Sequence, residues 1–127
     1  MKTREDIESY LLKMGVNHED LGSDIWRLRE NGMENLMVSL AGPIVVFRLK
    51  MMDVPAARRE ALFETLLRLN TTELFHCAFG LEGNAVVLGG ALELENLDFN
   101  EFQAVIDDIS MAVSKQYPVL SKFRAVA

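Results

Sequence analysis

The side chains best suited to nucleophilic or metal chemistry in this sequence are one cysteine and two histidines. Cys77 follows His76 directly, a pair that could supply a thiol and a base. The flanking residues alternate in a way that predicts a strand, and neighbouring side chains of a strand point to opposite faces. Cys77 would then share a face with Phe75 and Phe79, so we predict a buried apolar thiol.

Carboxylates are the other candidates for chemistry. Glu93 and Glu95 share one face of a predicted strand, and Asp107 adjoins Asp108. General acid–base catalysis would need burial to shift one pKa of such a pair. Nothing in the sequence predicts that burial, so we expect a solvated edge instead. The cluster from His18 to Asp20 lacks the ligand number and spacing of a calcium loop. We therefore expect no catalytic residue and no metal site.

The glycines do not form a phosphate-binding loop. Gly80, Gly83, Gly89 and Gly90 match neither the dinucleotide-binding pattern nor the P-loop, and no lysine follows them. We therefore expect no cofactor.

Size and charge restrict the remaining function classes. The chain has 127 residues, which predicts one domain over residues 1–127. Its formal net charge is −6, from 19 acidic and 13 basic side chains. Nucleic-acid binding depends on cations that displace counterions, so we expect no nucleic-acid partner. The longest apolar stretch, residues 36–47, is broken by Ser39, Gly42 and Pro43 and is too short for a membrane span. We expect no membrane partner and a cytoplasmic location.

The first half of the chain predicts one helix and three strands. Thr3 and Asp6 predict a capped helix from Arg4 to Met14, which Gly15 ends. Residues 16–23 are predicted as a loop. Alternating apolar residues and turn signals at Asn31-Gly32 and Gly42-Pro43 predict an antiparallel meander of strands at residues 24–30, 34–41 and 44–52.

A second helix is predicted from near Pro55 to Leu69, and it is apolar over more of its circumference than one core contact needs. One face can pack on the sheet and the other on a second subunit. The candidate dimer-interface residues are Ala61, Leu62, Phe63, Leu66 and Leu67.

The last third predicts a hairpin and a helix. Strands at residues 75–81 and 85–95 flank a turn at residues 82–84, and Gly89-Gly90 indicates a bulge or a close backbone approach. Asp98 and Glu101 predict a capped final helix, at whose end Pro118 either stops the helix or begins a short terminal turn. The predicted fold class is α+β, a two-layer domain with a five-stranded antiparallel sheet and helices, in the order α-β-β-β-α-β-β-α.

Three stretches of this pattern resemble the type III secretion chaperone-like family, which includes a Tir chaperone type and a YbjN type. They are T-R-E-D-I-E-S-Y-L-L-K-M-G, A-G-P-I-V-V-F-R-L-K, and L-E-N-L-D-F-N-E-F-Q-A-V-I-D-D-I running on to Q-Y-P-V-L. The resemblance implies a homodimer without a cofactor, paired through the second helix. In the secretion members it also implies that the dimer holds an extended segment of a partner protein in the cytoplasm.

These observations lead to the hypothesis of a non-enzymatic protein-binding module, in which an extended peptide pairs with a sheet edge or face. Candidate contacts are Ile44 and Val46, together with Trp26 and Leu28, which could equally belong to the core. One alternative is a YbjN-like regulatory or structural dimer. Another is a small-ligand protein or enzyme that uses His76, Glu93 or Glu95.

Overall fold

The structure is a computed structural model that describes residues 2–30 and 33–124. Within these ranges the chain forms three helices and six strands. In chain order they are α1 (Arg4–Met14), β1 (Asn17–Gly22), β2 (Ile25–Glu30), β3 (Met33–Ala41), β4 (Ile44–Asp53), α2 (Arg59–Thr72), β5 (Ala78–Glu82), β6 (Ala85–Glu93) and α3 (Phe99–Ser121). The turn predicted at Asn31-Gly32 lies outside the described residues.

The strands form one sheet in the order β1-β2-β3-β4-β6-β5, and all neighbours are antiparallel. The predicted α+β class and the meander are confirmed. The sheet has six strands instead of the five predicted. Its edges are β1 and β5, so the chain enters the sheet at one edge and makes its last hairpin at the other.

The additional strand is β1, which corrects the loop predicted at residues 16–23. Its sequence is N-H-E-D-L-G, and nearly all of it is exposed to solvent. Such a strand has no apolar alternation to reveal it. It pairs with β2 through a tight turn in which Ser23 and Asp24 have positive φ angles of 55° and 61°. Main-chain pairing, and not burial of side chains, therefore defines β1.

Helices α1 and α3 begin where their capping residues predict. The Asp6 carboxylate accepts the Thr3 N–H at 2.8 Å, which lowers the pKa of Asp6. The Asp98 carboxylate accepts the Glu101 N–H at 2.8 Å, and Glu101 accepts the Asp98 N–H at 3.1 Å. These reciprocal bonds satisfy main-chain donors that a helix start leaves free.

Two predicted helix boundaries are wrong. Helix α3 continues through Pro118 to Ser121, because a proline in the last turn removes a single main-chain bond while Leu120 and Phe123 beyond it are buried. Helix α2 begins at Arg59, four residues after Pro55, and continues past Leu69 to Thr72.

The core lies between one face of the sheet and the three helices. Phe47 of β4 and Phe102 of α3 are completely buried, with ring centroids 5.5 Å apart, and Ile7, Leu11 and Leu62 bring α1 and α2 into the same cluster. In the described part of the chain, no helix is long and apolar enough to cross a membrane.

The glycine pair in β6 is a close backbone approach, one of the two predicted alternatives. The β4–β6 register continues without interruption through Gly89 and Gly90. A Cβ atom at Gly90 would lie 2.8 Å from the main-chain oxygen of His76. The segment that leads into β5 therefore crosses β6 at a position where only glycine fits.

Candidate protein-binding surfaces

Helix α2 and strand β5 enclose an apolar groove on the surface of the subunit. Its volume is about 260 Å³, and its lining residues are Phe63, Leu66, Leu67, Asn70, Phe79, Gly80 and Leu81. Leu67 is 68% exposed and Leu81 is 53% exposed, although both are large apolar side chains. Large apolar side chains exposed next to one another are typical of interaction surfaces.

The five residues predicted for a dimer interface divide between two sides of α2. Leu62 and Leu66 are buried against the core of their own subunit. Ala61 and Leu67 are exposed and Phe63 is half-buried. The wide apolar stripe of α2 therefore serves the core on one side and leaves the groove side uncovered.

Charged residues of both signs flank the groove side of α2. Glu64 pairs with Arg68 at 3.3 Å, and the guanidinium of Arg59 lies 5.7 Å from the centroid of the Phe63 ring. With Glu60, the helix carries two acidic and two basic side chains. The helix is therefore neutral in a chain whose net charge is −6.

The side-chain amide of Asn70 connects α2 to the main chain of β5. Its Oδ1 accepts the Phe79 N–H at 2.7 Å, and its Nδ2 donates to the Phe79 carbonyl at 3.1 Å. Sequence reasoning missed this contact, because nothing in the polar residue Asn70 distinguishes it before α2 and β5 are brought together.

The face of the sheet opposite the helices carries the second candidate surface. Ile44 and Val46 of β4 are half-buried on this face, and the cross-strand neighbours of Val46 are Ser39 and Ala91. We call Ile44, Val46, Ser39 and Ala91 the outer strip. Ion pairs lie to either side of it: Arg27 with Glu19 on β2 and β1, and Arg48 with Glu82 on β4 and β5.

Trp26 and Leu28, the other predicted partner contacts, are completely buried in the core. They alternate with Ile25 and Arg27 along β2, so they point toward the helices. Their burial supports the core alternative that the sequence left open. A partner could reach them only if the subunit opened.

At the β1 end of the sheet, Arg4 of α1 contacts three carboxylates. Its guanidinium lies 2.7 Å from Glu8, 2.9 Å from Asp20 and 2.9 Å from Asp24, above the Trp26 ring. Hydrogen bonds from Arg4 and then from the Gly22 N–H lower the pKa of Asp20. This cluster attaches α1 to the β1–β2 turn, a role that the sequence did not indicate.

Cys77 and its neighbours in the segment before β5 are hydrogen-bonded to Asp108. Burial, followed by the charge of Asp108 nearby, raises the pKa of the Cys77 thiol to about 12. Asp108 accepts hydrogen bonds from the N–H groups of Phe75 and His76, at 3.2 and 2.7 Å, and from the Cys77 thiol at 3.4 Å. Cys77 is buried, as predicted, while His76 is exposed.

Glu93 and Glu95 are exposed, as a solvated edge requires. His18 lies 3.0 Å from the carbonyl of Val16 through its Nδ1 atom. Over residues 2–30 and 33–124, no group of three or more His, Cys, Asp or Glu side chains could hold a metal ion.

Comparison with known proteins identifies the family. The family model CesT_Tir_1 matches residues 1–125. No curated protein sequence matches the chain.

Solved structures share the fold at low sequence identity. The ExoU–SpcU heterodimer of the Pseudomonas aeruginosa type III secretion system contains a chain that is 16% identical, with a TM-score of 0.73 over 88% of this chain and 95% of that one. Escherichia coli YbjN, described as a putative transcription regulator, is 14% identical, with a TM-score of 0.67 over 90% of each chain.

A structure of the Yersinia pestis secretion chaperone SycH with a YscM2 fragment contains a chain that is 11% identical, with a TM-score of 0.63 over 89% of this chain and 98% of that one. The match to the family model covers nearly the whole sequence, and the chain therefore belongs to the CesT_Tir_1 family of type III secretion chaperones.

Proposed function

We propose that this chain is a non-enzymatic, cytoplasmic chaperone that forms a homodimer through α2 and β5 and holds an extended segment of a partner protein. The observation that carries the proposal is that apolar surface remains uncovered in two separate places, the groove and the outer strip. Family membership supports a protein-binding role. So do its structural neighbours, several of which are in complexes with other proteins.

The groove suits a second copy of the chain. A neutral helix with alternating charges can pair with its own copy across a two-fold axis, where Arg68 of one copy can approach Glu60 or Glu64 of the other. Each chain carries a net charge of −6, so two copies repel each other. This repulsion is weakest when the surfaces that approach each other are neutral, as the α2 helices are. Burial of Leu67 and Leu81 would supply the apolar centre of such an interface.

The outer strip suits an extended partner segment. Ser39, Val46 and Ala91 come from adjacent antiparallel strands, so their side chains form a row across the sheet at the spacing between strands. Ile44 lies on the same face of β4, two residues before Val46. Small neighbours, Ser39 and Ala91, leave space beside Val46 for an apolar side chain of a partner. Ile44 lies opposite Ala41 and Glu93. The flanking ion pairs would form a polar rim.

Two substitutions separate these surfaces. Leu67→Glu should halve the mass measured by light scattering, because the groove cannot bury a charge, and should leave the outer strip unaltered. Val46→Glu should keep the mass of the wild type and reduce by about tenfold the amount of partner that co-purifies from the native cell, the equivalent of about 1.4 kcal/mol. Ser114→Glu adds the same charge on the exposed side of α3 and serves as the control.

Three results would contradict the proposal. A wild-type protein that stays monomeric at all concentrations would remove the dimer. Equal partner recovery with Val46→Glu and Ser114→Glu would remove the outer strip as the binding surface. A dimer that retains no partner protein from its own cell would favour the alternative of a YbjN-like regulatory or structural dimer.

A further inference from the structure

Asn70 occupies a position that a neighbouring strand would otherwise occupy. An added strand would satisfy the outward N–H and C=O of one residue with its own C=O and N–H. The primary amide of Asn70 presents the same acceptor and donor to Phe79, at 2.7 and 3.1 Å. A residue of a helix thereby performs, at one point, the hydrogen bonding of a strand.

The geometry of β5 makes this one contact significant. Residues of an edge strand alternate between pairing inward and facing outward. Because the main-chain N–H and C=O of Phe79 bond to Asn70, they point away from β6. The register then directs the main-chain groups of Ala78, Gly80 and Glu82 toward β6 and those of Leu81 outward. Two of the five residues of β5, Phe79 and Leu81, therefore have main-chain groups that point away from the sheet, and Asn70 bonds to those of Phe79.

The opposite edge lacks such a contact. Among the described residues, the side-chain bonds to main-chain groups at β1 are made by the strand's own residues. The Asp20 carboxylate accepts the Gly22 N–H, and the His18 ring contacts the carbonyl of the preceding Val16. No helix presents an amide to the main chain of β1 in the described ranges. A helix side chain thus blocks one outward-facing residue of the β5 edge and none of the β1 edge in the described ranges.

We propose that Asn70 is a specificity-determining residue that blocks strand addition at β5, so that a second copy of this chain meets the groove through side chains and the sheet does not continue from one copy to the next. This inference rests on the proposed dimer surface and deepens it. An apolar strand edge without such a block is a site of continued sheet growth. With the block in place, Leu67 and Leu81 can remain exposed for contact with a second copy while further chains do not add strands to β5.

The test compares Asn70→Leu with the wild type and with Thr71→Ala. Leucine keeps the branched shape of the side chain and favours the helix, but it has no side-chain donor or acceptor. Thr71 is exposed, and its hydroxyl bonds only within α2, to the Leu67 carbonyl at 3.3 Å, so Thr71→Ala controls for altering this turn of the helix. Amide hydrogen exchange and light scattering are measured on all three proteins.

In Asn70→Leu at low concentration, the Phe79 amide should exchange at least about tenfold faster, while the Gly80 amide, bonded to β6, keeps its rate. At high concentration this variant should form species larger than those of the wild type. Thr71→Ala should match the wild type in both measurements. If Asn70→Leu does not fold, Asn70→Ala replaces it with the same expectations.

Two results would overturn the inference. One is an unchanged Phe79 exchange rate, which would show that the amide does not protect the edge. The other is fast Phe79 exchange without any increase in mass at any concentration, which would show that the exposed edge does not recruit another chain. The wild-type mass tests the proposed dimer separately. A monomeric wild type would contradict the dimer, while the difference between Asn70→Leu and the wild type would still test the role of Asn70.

Discussion

The two ends of the sheet are stabilised by different interactions. At the β1 end, Arg4 joins Glu8, Asp20 and Asp24 in a partly exposed cluster of charges, and the strand itself is polar. At the β5 end, one neutral amide bonds to the edge strand beside an apolar groove, and Asp108 binds the segment that leads into the strand. The β1 end is polar and charged, whereas the β5 end is apolar and has one residue of its edge bonded by a helix side chain.

This difference indicates which end can be covered by another chain. Covering the β1 end would remove several ion pairs from water, a cost that often exceeds the Coulombic gain. Covering the β5 end removes mainly apolar surface from water, which is favourable at about 25 cal/mol per Å². The charge cluster thus keeps one end of the molecule in solvent while the other end remains suited to association.

The largest expected effect concerns Cys77, next to the β5 end. With a pKa of about 12, its thiol should react with iodoacetamide at pH 8 about a thousandfold more slowly than the same thiol in unfolded chain, because only the thiolate is nucleophilic. Asp108→Asn should accelerate the reaction, since it removes the negative charge that opposes ionisation. Asp107→Asn, at the exposed neighbour, should not. Equal native and unfolded rates would mean that this end opens freely.

A smaller effect is expected where the chain crosses β6. Gly90→Ala should lower the free energy of unfolding by about 2 kcal/mol, because the new methyl group would lie 2.8 Å from the His76 carbonyl and force the backbones apart. Gly80→Ala is the matched control: a Cβ atom there meets nothing within 4 Å. Urea unfolding measures both variants. Equal losses of stability would show that the crossing at Gly90 is not tight.

The smallest effect is expected at the β1 end. Arg4→Gln should destabilise the protein slightly at neutral pH and low salt, since exposed ion pairs contribute little. The folded-state pKa of Asp20 lies below its unfolded value of about 3.9, so the ion pair stabilises above that value and its contribution is lost as the pH falls through the folded pKa.

Urea midpoints of the wild type and Arg4→Gln should therefore converge in acid and in high salt. Lys122→Gln, which removes an exposed charge elsewhere, is the control for net charge. A difference between wild type and Arg4→Gln that persists below the folded pKa of Asp20 would show that packing of Arg4 on Trp26, and not its charge, stabilises this end.

Local sequence signals predicted the elements whose causes are local. The capping residues of α1 and α3 and the alternating core residues of β3 and β4 were recognisable, because each depends on neighbours within a few positions. Strand β1 was missed because its stability comes from pairing with β2 and not from its own side chains. Pro118 was misread because the packing of Leu120 and Phe123 outweighs the single main-chain bond that proline removes.

The candidate binding surfaces were predictable only in part. The excess of apolar residues on α2 was visible in the sequence, and so was the position of Ile44 and Val46 opposite the core face of β4. The contacts of Asn70 with Phe79 and of Asp108 with residues 75–77 were not, because each joins segments through the tertiary fold. The sequence pattern indicates which apolar residues are in excess, but only the fold shows which side chains bond to the main chain of β5 and of the segment before it.

The position of Trp26 has a practical consequence. It is the one tryptophan of the chain, it is fully enclosed, and the Arg4 guanidinium lies 5.2 Å from its ring centroid. Its fluorescence spectrum is therefore a native optical signal for one end of the molecule. A shift of emission to longer wavelength would report that α1 has lifted from the β1 end, in a chain that carries no added dye.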